Sequence, residues 1–141
     1  MTTLEALSEA EVTEAGLTLF FKRAFIPSSL DGMGNVTVEM DSVRVTLVVD
    51  ENIKLMKFMA VFGLADAAPL ELKHAFVNRL NENLYFARFS VPNVRPDLLI
   101  ADYWLPFEEG ISVFQIISAL RWFAKIVPSA IHAYDTDHLV L

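Results

Sequence analysis

The residues with the most obvious chemical capacity lie near the C-terminal end, where His132, Asp135, Asp137 and His138 occur in the run H-A-Y-D-T-D-H. Imidazole and carboxylate groups are the donors of zinc and hard-cation sites. Their spacing matches no recognised metal loop, and a polar tail gathers such residues with no ligand to hold. A solvated tail is the expectation, and a metal or small-ligand site the alternative. His74 stands beside Glu71 and Asn78 on the polar side of a helical stretch, without a placed nucleophile to serve. The acid pairs Asp50/Glu51 and Glu108/Glu109 fall in turns, where nothing suggests the apolar pocket that would split two carboxyl pKa values. Gly32 and Gly34, in S-S-L-D-G-M-G-N, follow no strand and open no clear helix, so this is a turn-rich loop rather than a phosphate cradle. The H-E-x-x-H, G-x-S-x-G, P-loop and dinucleotide motifs are absent. The expected class is non-enzymatic, with no cofactor and no metal.

The elements that would carry these groups can be read from hydrophobic period. Residues 1–7 are frayed or form a helical lead-in. Ser8 and Glu11 have capping-box spacing, and Leu17, Phe20, Phe21 and Ala24 share one helical face, which predicts a helix over Glu9–Phe25 that Pro27 stops. Val36, Val38 and Met40 alternate with polar residues, as do Val43, Val45, Leu47 and Val49, giving two strands. A third, Ile53–Phe62, is apolar on both sides: Met56, Phe58, Ala60 and Phe62 face one way, and Leu55, Met59 and Val61 the other. Its second face is covered either by another element or by a second subunit. Short connections make the three an antiparallel meander.

After a linker at 63–68, Leu72, Phe76, Leu80 and Leu84 recur at i+4 as a second helix. The stretch F-V-N-R-L-N-E-N-L-Y-F-A-R-F-S-V (76–91) then passes from helical to strand period with no Gly or Pro. Asn83, inside the apolar arc near the helix end, reads as a structural cap. Tyr85–Val91 and Asp97–Leu105 are a fourth and a fifth strand around a turn at 92–96. Ser112 and Gln115 open a third helix, which Pro128 is expected to end at Val127. The fold class is α+β in a single domain over 1–141: helix, three-strand meander, helix, two-strand hairpin, helix.

Composition narrows the function. A chain of 141 residues that is 54% apolar, with positive mean hydropathy, can fill a core. Yet the longest uncharged run, Gly110–Leu120, falls far short of the ~18–20 residues that span a bilayer. The early residues Glu5, Glu9, Glu11 and Glu14 fit neither a signal nor a transit peptide. With no cysteine there is no disulfide framework, and a cytoplasmic location is expected. A net charge of -7 argues against nucleic acid. The apolar excess leaves a well-filled monomer or an exposed patch that makes a homodimer or binds a protein partner or client.

The third helix bears on that choice. Val113, Ile116, Ile117, Leu120, Phe123, Ala124 and Val127 fill one arc, which leaves Phe114 and Trp122 outside it. These two aromatics are either covered by the C-terminal tail or form a contact patch. With Leu55, Met59 and Val61 they are the candidate protein-interface residues.

Element order together with three runs resembles the YbjN family, whose fold is similar to that of type III secretion chaperones. The runs are V-N-R-L-N-E-N with Arg88 in the following strand, L-P-F-E-E-G-I-S after the aromatic-rich fifth strand, and the helix I-I-S-A-L-R-W-F-A-K-I-V. The resemblance covers about Val36–Val127. It implies an α+β domain with helices packed on an antiparallel sheet. For secretion chaperones it implies homodimers that hold an unfolded client segment on apolar surface, and for YbjN-like proteins a role in sensory-transduction regulation. It brings no catalytic residues.

Overall fold

A computed structural model describes residues 6–141, so most of the N-terminal lead-in lies outside the described residues. Ala6–Leu7 is a short strand, β1, rather than part of a helix, and pairs antiparallel with β8 (Ile111–Ser112). The close approach makes Gly110 necessary: its φ is +103°, and a Cβ there would lie 2.9 Å from the Leu7 carbonyl oxygen.

The first helix is shorter than its apolar period predicts. A 3₁₀ turn occupies Glu9–Glu11, with the Ser8 N–H donating to Glu11 Oε1 at 3.0 Å. Helix α1, Glu14–Arg23, starts afresh from Thr13, whose Oγ1 accepts from the Gly16 N–H at 3.0 Å. Glycine at 16 is what lets the two pieces meet, because a Cβ would fall 1.8 Å from the Glu11 carbonyl oxygen. At its other end Ile26 N–H bonds Phe21 O and Phe25 N–H bonds Lys22 O, a Schellman closure. Its left-handed position, usually a glycine, is Phe25 at φ 58°.

Six strands form one sheet in the order β2-β3-β4-β5-β7-β6. These are β2 (Ser28–Leu30), β3 (Val36–Met40), β4 (Val43–Asp50), β5 (Leu55–Gly63), β6 (Arg88–Ser90) and β7 (Leu98–Pro106), every neighbour antiparallel. The meander β3-β4-β5 is as the alternation predicts, except that Ile53 sits exposed in the preceding turn. The segment read as a loop at 28–35 supplies β2, its Ser29 hydroxyl bonded to Thr37 at 2.8 Å. The fourth strand is reduced to β6, because Tyr85 stands 95% exposed and Phe86 turns inward to stack on Tyr103 at 4.4 Å.

Helix α2 covers Leu70–Asn83, with Pro69 at its N-cap. Phe76 and Leu80 are buried, but Leu72 is partly exposed and Lys73 takes a buried place instead. The Lys73 ammonium resolves its burial by donating to the Pro96 carbonyl at 2.6 Å, which anchors the β6–β7 loop.

Helix α3 runs from Val113 to Tyr134, so Pro128 does not end it. A mid-helix proline costs about 3 kcal/mol through its missing N–H and its clash with the preceding turn. Here the small residue Ala124 lies four positions back, and the Ser129 hydroxyl donates to the Lys125 carbonyl at 2.9 Å. Ala130 and Ile131, both buried, repay the continuation, and the Arg79 guanidinium caps its end through the Tyr134 carbonyl at 3.3 Å. Helices α1 and α3 lie on one face of the sheet. Phe58 meets Phe123 edge-on at 6.2 Å, and Leu17 is buried beside Val36 and Leu47. Helix α2 flanks α3 along the β6 edge.

Candidate protein-binding surfaces

The capping box at the start of α3 is formed: Gln115 N–H donates to Ser112 Oγ at 3.0 Å and Ser112 N–H to Gln115 Oε1 at 3.2 Å. It fixes the rotation of a helix whose Ile116, Leu120, Phe123 and Val127 are fully buried. Phe114 and Trp122 consequently face away from the sheet, 71% and 51% exposed. The tail that could have covered them goes elsewhere. Leu139 O accepts from Ala65 N–H and Leu141 N–H donates to Gly63 O, while Val140 bridges Leu64. Lys125 is the neighbour of the exposed indole, its Nζ 5.5 Å from the ring centre.

A cleft runs between α1 and α3, lined by Leu7, Leu19, Phe20, Ala24, Val113 and Ile117 together with the charged Glu11 and Arg23. It has no signature in the sequence. Leu19 lay outside the chosen stripe, and its isolated position gave no periodic signal.

Leu55, Met59 and Val61 point out of the opposite side of the sheet. Strand register sets Met59 between Thr46 and Asp102, Val61 beside Ile100, and Lys57 between Val48 and Trp104. Val61 is 48% and Trp104 36% exposed, and the Lys57 ammonium lies 5.3 Å from the Trp104 ring centre. Asp102 is 4% exposed yet fully partnered, since Arg88 grips it from the edge strand at 3.0 and 3.2 Å. The five residues chosen from sequence thus divide between two surfaces with the sheet between them.

Of the metal-type residues the two aspartates are otherwise employed, and His132 and His138 are exposed. The Asp135 carboxylate accepts from the Leu139 and Val140 amides at 2.7 and 3.0 Å, and Asp137 lies 3.7 Å from Arg79. No group of three or more His, Asp or Glu side chains is placed to share a cation among the described residues. His74 is exposed. In the acid pairs, Asp50 accepts from the Asn52 amide at 3.0 Å, and the Glu109 amide donates to Glu9 at 3.1 Å. Asn83 is the last residue of α2 and donates its side-chain amide back to the Arg79 carbonyl at 2.8 Å, a structural role, although the cap position itself is Leu84. No helix within residues 6–141 is long and apolar enough to cross a membrane.

An antiparallel sheet backed by helices on one face, with no element over the other among the described residues, defines the class: an α+β domain with the fold of type III secretion chaperones. The structure of SycH from Yersinia pestis, solved with a stable fragment of YscM2, superposes with a TM-score of 0.51 at 16% identity, covering 85% of this chain and 98% of that one. The crystal structure of YbjN from E. coli, titled a "putative transcription regulator", matches with a TM-score of 0.74 at 14% identity, over 93% of this chain and 96% of that one. The profile of the YbjN family, described as "putative bacterial sensory transduction regulator", matches residues 9–135. The chain belongs to the YbjN family. No curated protein matches the sequence.

Proposed function

We propose that this chain is a non-enzymatic protein-binding domain, a cytoplasmic regulator or chaperone-like adaptor that self-associates and holds a protein partner. The observation that carries the reading is the aromatic pair Phe114 and Trp122 on α3. Both stay largely in solvent while the tail packs at the other end of β5. Exposed aromatics of this size on a rigid helix are what hot spots are made of. The fold shared with SycH, which was solved holding a YscM2 fragment, favours a client segment as the partner.

A photoreactive phenylalanine analogue at position 114 or 122, introduced in the native cell, tests this. A discrete protein adduct is expected at both positions and none from the exposed α2 position His74. Equal labelling from all three positions, or from none, removes the reading.

A further inference from the structure

We infer that the open face of the six-stranded sheet packs against the same face of a second copy of this chain across a two-fold axis. The inference rests on the protein-binding reading above and names the partner for one of its two surfaces, leaving the outward side of α3 for a different protein.

Strand β5 lies inside the sheet, hydrogen-bonded on both sides, with Phe58 turned to the helices and Met59 and Val61 turned out. A strand apolar on both faces is the pattern of one covered on both. Ile100 and Trp104 of β7 extend the apolar strip across the register.

Charge decides what covers it. The register puts Glu39, Asp50 and Asp102 on this face together with Arg44, Lys57 and Arg88. The face is therefore balanced in a chain of net charge -7, and the excess acid lies elsewhere. A two-fold contact presents the same surface twice, so any net charge on it would be doubled across the interface. A basic partner would instead be met by an acidic face. The most buried charge here, Asp102, already has its guanidinium, so covering it strands no ion. Strand lengths and spacing give a sheet face on the order of 600 Å². With rim loops this approaches the ~800 Å² per partner of a standard interface.

Light scattering on the full chain after size exclusion tests the inference. The chain should be a dimer at micromolar concentration. Met59→Lys and, separately, the milder Lys57→Glu should each weaken it at least tenfold with the circular dichroism spectrum unchanged. Trp122→Ala should remain dimeric. A monomer at high micromolar concentration overturns the inference, as does a dimer that survives both Met59→Lys and Lys57→Glu. Neither outcome touches the partner reading, which is scored by adducts at positions 114 and 122.

Discussion

The Asn81 carboxamide forms two hydrogen bonds with the backbone of Phe89, accepting from its N–H at 2.9 Å and donating to its carbonyl at 3.0 Å. Phe89 belongs to β6, whose only strand neighbour among the described residues is β7. The amide group takes the place of a further strand and closes this edge of the sheet against stray pairing. Two residues earlier, Arg79 caps α3, so α2 ties both the sheet edge and the last helix.

Asn81→Ala should therefore destabilise by about 1–2 kcal/mol, since a donor and an acceptor at the edge lose their partners. Urea unfolding measures it. Asn81→Asp is the sharper variant. Ionised, it faces the Phe89 carbonyl without a donor; protonated, it can donate again. Its deficit relative to wild type should therefore be largest where the carboxyl is ionised and shrink as falling pH protonates it. A deficit independent of pH would show that Asn81 acts by packing alone.

Backbone strain supplies a stabilising pair. Phe25 is held at φ 58° while its side chain is 93% exposed, so the ring gives little back within the described residues. Asp41 and Ser42, at φ 50° and 67°, form the β3–β4 turn with no glycine. Left-handed conformations cost an L-residue roughly 1–2 kcal/mol. Phe25→Gly and Ser42→Gly should each raise stability by about 1 kcal/mol, additively, because they lie in separate turns. A lower thermal midpoint for either would contradict the strain.

The pH response of the fold has a sign. Hydrogen bonds hold several carboxyls below their ordinary values: Glu9 through the Glu109 amide, Glu11 through Ser8, Asp31 through the Asn35 amide, and Asp97 through the Arg95 guanidinium. Each binds a proton more readily when unfolded, so its contribution is complete above the unfolded-state value and lost as pH falls through the folded one. Acidification also relieves the net negative charge, so a single-residue comparison is needed. The stability difference between wild type and Glu9→Gln should be constant from about pH 7 to 5 and shrink below it. A difference that grows on acidification would exclude the Glu9–Glu109 bond as its source.

The longer elements and their order were legible because alternation and helical period report a half-buried surface directly, as at Val43–Val49 and Ile116–Val127; the short strands β1, β2 and β8 carry too few residues to show a period. Boundaries were less so where a tertiary contact overrides a local rule. The Pro128 stop failed because Ile131 is buried and Arg79, some fifty positions away in the chain, caps the end. Nothing in the local sequence marks the role of Asn81, because its partner, Phe89, lies across the joint. The exposed aromatics could be found by subtraction from the core stripe. Their separation from Leu55, Met59 and Val61 by the whole sheet could not, since sequence does not say which face the helices choose.

That separation yields the last prediction. Trp122 is half in solvent on the outward side of α3, and Lys125, with its Nζ 5.5 Å from the ring centre, does not bury it. Trp122→Ala removes little core packing, so the unfolding midpoint should move by less than about 0.5 kcal/mol. An interface anchor of this kind is worth 2 kcal/mol or more, roughly a thirtyfold loss of partner affinity. The variant should fold and dimerise like wild type while losing the cross-linked partner recovered from position 114. Had the indole served mainly to cover Lys125 and the helix backbone, stability would fall and partner capture would persist. Thermal melts and cross-linking on the same preparation separate the two outcomes.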